Sequence, residues 1–175
     1  MPGIEPKEIP FYFNTSNRAG RFLQHCARCS SLLYLIDGDN DLPLSAGQQF
    51  RTIRSHLAEY DTTIDKELRE LQLAKTEFPD RFNHFEWHDI AISTSLTDVP
   101  FIVAISKNDQ PGADERIQEL NIELNQFHKT NPNIMYYPKV ISTSAVDLAG
   151  WQILVYLLRH MNEHYTNSMT DDLYW

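Results

Sequence analysis

Three short apolar stretches, each free of charged residues and each followed by polar residues, most constrain the fold of this chain. They are LLYLI at 32–36, FIVAI at 101–105 and the start of VISTSA at 140–145. Uncharged runs of this length are typical of strands that are buried on both faces of a parallel sheet. We therefore expect three parallel strands, with the strand at 32–36 in the centre of the sheet.

Helical patterns alternate with these strands. Ser45 and Gln48 form a capping-box signature at the start of an amphipathic helix, and a second, more charged helix is predicted from about Asp65 to Phe78. A first helix is expected to end near Ser30, and the last is expected to begin near Asp147. The positions predicted to face the core are, in chain order, Phe22, Leu23, Cys26, Phe50, Ile53, Leu57, Tyr60, Ile117, Leu120, Leu124, Phe127, Trp151, Leu154, Leu158 and Met161. This alternation predicts an α/β fold with helices on the faces of a parallel sheet.

Composition limits the class of protein. The chain has 175 residues, which suffices for one core, and 42% hydrophobic with 22% charged residues is ordinary for a globular domain. The net charge of −9 argues against extensive contact with a nucleic-acid backbone. Two cysteines cannot form a disulfide framework, so we expect a reducing compartment and no secretion. No segment has the apolar length of a transmembrane helix, so no membrane partner is expected.

Ser106, Lys107, Asn108 and Asp109 follow the strand at 101–105, where open α/β sheets bind ligands. The Asp109 carboxylate is suited to accepting two N–H bonds from a guanine edge, while the Lys107 stem lies over the ring. The alternative is a βα loop that is polar only because it is solvated.

Three segments in this order resemble Obg-type GTPases. RFLQHCARCSSLLYLID at 21–37 is similar to the segment after switch II in that family, and SKND at 106–109 is similar to its guanine-specificity motif Asn-Lys-x-Asp. STSAVDLAGW at 142–151 is similar to its Ser-Ala motif. The resemblance implies a partial P-loop GTPase-like, Rossmann-like parallel sheet. It also implies that GTP or GDP is bound by Ser106, Lys107, Asp109, Ser144 and Ala145, with the Ala145 amide meeting the exocyclic oxygen of the base.

The chain departs from the family in the half that holds phosphate. It contains no G-x-x-x-x-G-K-[ST] motif, and no Asp-x-x-Gly of switch II precedes the segment at 21–37, unless the stretch from Glu8 to Gly20 is a degraded form of it. Without the phosphate loop there is no amide nest, no phosphate lysine and no hydroxyl for Mg²⁺. Ser106 also replaces the asparagine that ties the family's motif to that loop. The expectation is a carboxyl half of a G domain, catalytically inactive alone, to which Mg²⁺ binds only if the missing half is supplied.

The expected organisation is an irregular segment at 1–15, the half G domain at 16–165 with an insertion at about 62–98, and a tail at 166–175. In the family's strand order, the strand Leu32–Ile36 borders the missing half, and an uncovered edge of this kind is unfavourable. We therefore expect the missing amino-terminal half, or another protein, to cover this edge. Phe11–Phe13 is the one internal candidate.

The resemblance implies a GTPase of large-ribosomal-subunit assembly, of mitochondrial or bacterial type, whose partner is a large-subunit precursor. The expected location is the mitochondrial matrix or the cytoplasm. The alternative function is a catalytically silent, G-domain-like interaction module in a ribosomal assembly.

Two metal-like spacings are weaker signals. Cys26-x-x-Cys29 is a single pair, and Cys26 is expected in the core. His160-x-x-Glu163-His164 has the inverted zinc-protease spacing without a third ligand, and His84 and His88 lie in a polar stretch. We predict no metal site from these residues.

Overall fold

The computed structural model describes residues 23, 25–26, 29–39, 41–77 and 95–171. Its elements are β1 (Leu32–Ile36), α1 (Ala46–Glu77), β2 (Phe101–Ile105), α2 (Ala113–Thr130), β3 (Ile141–Ser142) and α3 (Trp151–Asp171). The predicted α/β class, with a parallel sheet flanked by helices, is confirmed. The described residues fall into two compact units: those within 29–53 and 98–175, which include the sheet, and those within 1–28 and 54–97.

The sheet has three parallel strands in the order β1-β2-β3. Leu32 pairs with Phe101 and Ile36 with Ile105, so β1 and β2 are in register along their whole length. All five residues of β2 are buried, as expected for a strand with neighbours on both sides and helices over both faces. β3 is much shorter, because only Ile141 and Ser142 pair with β2.

In the described sheet β1 is an edge strand, so its expected central place is corrected. Among the described residues β1 pairs only with β2. Its side chains alternate: Tyr34 and Ile36 are buried, whereas Leu33 and Leu35 are 38% and 56% exposed. The absence of charge in this run thus does not reflect burial on both faces. Phe11–Phe13 lies outside the described residues.

One face of the sheet is covered by an aromatic cluster, which we define as Tyr34, Phe50, Phe101, Phe127 and Tyr136. Phe101, at the start of β2, is fully buried and stacks on Tyr34 and Tyr136 with ring centroids 4.6 and 5.5 Å away. Phe127 from α2 meets Phe101 edge-on at 5.8 Å, and Phe50 from α1 lies 6.2 Å from it. Offset and edge-on pairs of this kind add to the free energy gained by burying the rings.

The opposite face is covered by α3. Ile102 and Ala104 from β2 and Ile141 from β3 pack against Leu154, which is 2% exposed. Leu158 and Met161 are partly buried against the same cluster, as their spacing predicts. Ser30, just before β1, also donates from its hydroxyl to the Asn162 side chain of α3, at 2.5 Å.

The start of α1 has the predicted capping box. The Ser45 amide donates to the Gln48 side chain at 2.9 Å, and the Gln48 amide donates to Ser45 Oγ at 3.4 Å. Phe50, Leu57 and Tyr60 are buried, as predicted.

The predicted division into two helices is wrong, because α1 is continuous to Glu77. No glycine or proline interrupts residues 48–77. Thr62 and Thr63 donate their hydroxyls to the carbonyls of Ala58 and Glu59, four residues earlier, so both are accommodated inside the helix.

α2 is flanked by Gly112 and Asn131. Gly112 precedes it in a left-handed conformation with φ of 76°, and Asn131 follows it with its amide bonded to the Phe127 carbonyl. Leu120 and Leu124 are buried. The α1 start is held to α2 by Glu119, which accepts from Ser45 and from the Gly47 amide.

In the unit formed by residues within 1–28 and 54–97, Asp61 holds the turn at residues 95–97. Its carboxylate accepts from Ser95 Oγ and from the amides of Leu96 and Thr97, at 2.7 to 2.9 Å. Arg54 donates to the Thr97 carbonyl at 3.0 Å. Leu23, in the described part of the predicted first helix, is 6% exposed.

No helix among the described residues is long and apolar enough to cross a membrane.

Candidate functional site

The polar residues that follow the three strands lie at one edge of the sheet. Because all three strands are parallel, their carboxyl ends point the same way, and this edge is where open α/β sheets bind ligands. The three segments are 37–39 after β1, 106–109 after β2 and 143–145 after β3. All the sequence-predicted site residues belong to the last two segments.

Gln49 of α1 holds the segment after β1. Its side-chain amide accepts from the Asp37 N–H at 3.0 Å and donates to the Asp37 carbonyl at 2.9 Å, so it satisfies both backbone groups of one residue. Asp37 Oδ1 in turn accepts from the Asp39 amide at 3.0 Å, which closes a local turn. The two carboxylates are therefore fixed next to each other at the edge.

Ser106 connects the segments after β1 and β2. Its amide donates to the Ile36 carbonyl at 2.9 Å, and its hydroxyl lies 3.3 Å from the same oxygen. Gly38 passes so close that a Cβ built on it would lie 2.1 Å from the Ser106 carbonyl oxygen. Any other residue at position 38 would push these two segments apart. Ser106 thus makes its contacts with the end of β1.

Lys107 is held in a left-handed conformation, with φ of 59°, which is uncommon for a residue with a side chain. Its ammonium lies 3.0 Å from Asp37 Oδ1 and 2.8 Å from Asp39 Oδ2. The hydrogen bond from Lys107 holds the pKa of Asp39 below its usual range, and the bonds to Asp39 and then Asp37 raise the pKa of Lys107. The lysine charge is therefore engaged by the two aspartates after β1.

Asp109 and Ser144 join the two segments that resemble the guanine-binding motifs. Ser144 Oγ donates to Asp109 Oδ1 at 2.5 Å and accepts from the Val146 amide at 3.1 Å. Ser144 is 1% exposed, whereas Asp109 is exposed. The buried hydroxyl therefore orients a carboxylate that still faces solvent.

Two further hydrogen bonds connect the segment after β3 to β2 and to the segment that follows it. The Asn108 amide donates to the Thr143 carbonyl at 3.1 Å, and Thr143 Oγ1 donates to the Ile105 carbonyl at 3.0 Å. Thr143 is 3% exposed, so both bonds are shielded from water. The relative position of the two segments thus depends on several buried contacts and not on Ser144 alone.

The loop at 144–150 is compact and closes on itself. The Ser144 amide donates to the Ala149 carbonyl at 3.2 Å, and the Trp151 indole Nε1 donates to the Ser144 carbonyl at 3.1 Å. Ala145 is exposed, and within the described residues no acceptor pairs with its amide. Gly150 has φ of 73°, and a Cβ there would lie 1.9 Å from the Ser142 carbonyl oxygen.

This loop explains two errors in the sequence prediction. Leu148 and Gly150 both have positive φ, so α3 begins at Trp151 and not near Asp147. Trp151 was expected in the core, but it is 43% exposed because its indole N–H reaches back to the loop. Helical spacing alone did not reveal that position 151 lies at the first residue of the helix.

The five predicted residues are brought to one edge, but not all into mutual contact. Asp109 is hydrogen-bonded to Ser144, and Ala145 is the next residue in the chain. Ser106 and Lys107 instead form hydrogen bonds with the last residue of β1 and with the segment after it. The sequence analysis missed Asp37, Asp39 and Gln49. The signal for the aspartates was Asp-x-Asp after an apolar run, whereas the Gln49 contact depends on how α1 packs.

The exposed polar groups at this edge include the Asp109 carboxylate and the Ala145 amide. An exposed carboxylate acceptor at Asp109 and an amide donor at Ala145 complement the N–H groups and the exocyclic oxygen of guanine. The sequence has no glycine-rich phosphate loop, and Asp37 and Asp39 add negative charge. Among the described residues, no three or more His, Cys, Asp or Glu side chains are grouped to hold a metal ion.

The cysteines and histidines with metal-like spacing are only partly described. Cys26 is half-buried and Cys29 is exposed. The side chain of His164 and both His84 and His88 lie outside the described residues.

No family model matches this chain. No solved structure matches it either.

Proposed function

We propose that this chain recognises the guanine base of GTP or GDP at the carboxyl edge of its sheet, as the base-binding half of an Obg-like G domain. The observation that carries the proposal is the 2.5 Å bond from Ser144 Oγ to Asp109. It joins the two segments, SKND and STSA, that resemble the family's base-recognition motifs. Segments that are 35 positions apart in sequence are thus in direct contact at the carboxyl ends of the strands.

The chemistry of the two exposed groups supports guanine over other bases. Asp109 offers an acceptor that suits the N1–H and the 2-amino group, and the Ala145 amide offers a donor that suits O6. Adenine presents an amino group where guanine has O6, so the amide donor would meet another donor. A site whose polar groups are left unpaired by the wrong base rejects that base strongly.

The proposed role is in assembly of the large ribosomal subunit, where the missing half of the G domain or another protein covers β1. In its support, β1 is the last strand of the described sheet, and two of its own side chains, Leu33 and Leu35, are exposed to solvent. Strands left open in this way are usually paired or covered. In the part of the chain that the structure describes, no strand pairs with the second side of β1, and this is the side on which the family places its remaining strands.

The alternative is a catalytically silent interaction module that binds no nucleotide. One observation favours it: the Lys107 ammonium is bound by Asp37 and Asp39, within 3.0 Å of each. A lysine held in this way has its charge satisfied without a ligand.

A calorimetric titration of the full 175-residue chain with guanosine and with GDP distinguishes guanine recognition from the silent module. Asp109→Ala removes the acceptor and should weaken binding by about 1–3 kcal/mol, or roughly 5- to 150-fold. Asp98→Ala is the matched control, because it makes the same change at an exposed position before β2, at the opposite end of that strand. It should leave the affinity unchanged.

Two results would contradict the proposal. If Asp109→Ala binds guanosine as tightly as the parent protein, the carboxylate does not read the base. If the parent protein binds neither guanosine nor GDP, the silent module is the better description.

A further inference from the structure

We infer that Trp151 is a positioning residue that aims the Ala145 amide at the exocyclic oxygen of the base. This inference rests on the proposed function, and it assigns a role to a residue outside the motifs. The sequence analysis placed Trp151 in the core and did not predict this role. Its basis is one hydrogen bond, from the indole Nε1 to the Ser144 carbonyl oxygen at 3.1 Å.

The geometry of the peptide bond links that contact to Ala145. The Ser144 carbonyl and the Ala145 N–H belong to the same peptide unit, and that unit is trans and planar. In a trans peptide the C=O and the N–H point in opposite directions. When Trp151 holds the carbonyl, the direction of the Ala145 N–H is therefore set as well.

The other groups of Ser144 leave the unit little freedom. Its amide is bonded to the Ala149 carbonyl, and its hydroxyl is bonded to both Asp109 and the Val146 amide. With its carbonyl bonded to Trp151, each polar group of Ser144 has a partner. The Ala145 N–H is the group of this peptide unit with no acceptor among the described residues. A bonded carbonyl also polarises its peptide and makes the N–H a better donor.

The backbone after the loop explains why a side chain at position 151 can reach Ser144. Gly150 adopts a left-handed conformation and passes against the Ser142 carbonyl, where no side chain would fit. This turn places the first residue of α3 beside the loop, and the Leu154 amide bonds back to the Gly150 carbonyl at 3.0 Å. The indole is thus carried by the rigid start of a helix.

The test uses Trp151→Phe, which keeps an aromatic side chain, makes it smaller and removes the N–H donor. The full chain is titrated with guanosine and with 6-thioguanosine, which retains the N1–H and 2-amino groups but has a weaker acceptor, sulfur, in place of O6. The parent protein should prefer guanosine, and Trp151→Phe should weaken guanosine binding about 5- to 10-fold, as loss of one oriented hydrogen bond predicts. The preference for guanosine over 6-thioguanosine should largely disappear in this variant. Asp109→Ala, by contrast, should weaken both ligands alike.

A second measurement does not depend on a variant. In the parent protein, the amide proton resonance of Ala145 should shift downfield on addition of guanosine, and less on addition of 6-thioguanosine. An unchanged Ala145 resonance at saturating guanosine would overturn the inference even if binding is tight.

The outcomes separate the two ideas. If Asp109→Ala loses binding while Trp151→Phe keeps both its affinity and its preference for oxygen, the positioning role is wrong and the proposed function stands. If Trp151→Phe weakens both ligands equally, the indole acts on general stability of the loop and the inference fails. If the parent protein binds no guanosine, the proposed function fails and the role of Trp151 falls with it.

Discussion

Replacing Phe101 by alanine tests the packing of the aromatic cluster on one face of the sheet. Phe101 begins β2, is fully buried and contacts four other rings of the aromatic cluster: Tyr34, Phe50, Phe127 and Tyr136. Truncating a buried phenylalanine to alanine typically costs about 3–5 kcal/mol in free energy of unfolding. The stacked contacts at 4.6 and 5.5 Å add about 0.5–1.5 kcal/mol each, so the upper part of that range is expected.

Against a total stability of about 5–15 kcal/mol, a loss of about 5 kcal/mol would remove at least a third of the stability. Phe101→Leu is therefore made in parallel, since leucine keeps most of the volume and gives up the ring contacts. We expect it to cost about 1–2 kcal/mol. Both variants are measured by urea unfolding, followed by far-ultraviolet circular dichroism.

Ile122→Ala on α2 is the control, because Ile122 is 58% exposed and should change stability by less than about 0.5 kcal/mol. Phe101→Ala unfolding at the same urea concentration as Ile122→Ala would refute the described packing of β2. Phe101→Leu with no loss relative to the parent protein would show that the ring contacts contribute nothing.

Two predictions concern the polar residues at the carboxyl ends of the strands. The 175-residue chain should not hydrolyse GTP, because it lacks the phosphate loop; magnesium-dependent phosphate release above a buffer blank would contradict this. The Asp39–Lys107 pair should stabilise the fold above the ordinary Asp39 pKa of 3.8, and this contribution should be lost as pH falls through the lowered value. Carboxyl NMR titration should show the Asp39 pKa rising in Lys107→Met, and an identical value in both proteins would rule out the ion pair.

The strands were predictable because their local signal is strong. The runs at 32–36 and 101–105 contain no charge, no glycine and no proline, and both form strands with the expected bounds. Among the described residues, the strand at 32–36 lies at the edge of the sheet and not in the predicted central place, because an uncharged run does not report whether a strand has a second neighbour. Leu33 and Leu35 are partly exposed on β1 although the sequence alone makes them look buried.

The predicted site residues were located by motif, and their contacts were only partly predictable. The position of Asp109 next to Ser144 agrees with two short motifs that lie far apart in sequence. The ion pairs of Lys107 with Asp37 and Asp39 depend on the close passage at Gly38, which no sequence pattern reports. Trp151 was misplaced for a similar reason: the left-handed residues before it shift the start of the helix.

The register of β1 with β2 has a consequence for folding kinetics. Leu32 pairs with Phe101, so the chain must close a loop of more than sixty residues before the first ladder bond can form. The length-dependent part of that closure costs about 4 kcal/mol of chain entropy, and parallel pairing between distant segments is slow for this reason. During synthesis on the ribosome, LLYLI cannot pair with FIVAI until the second run has emerged. Pairing of the two strands is therefore expected in milliseconds to seconds after the second strand is complete.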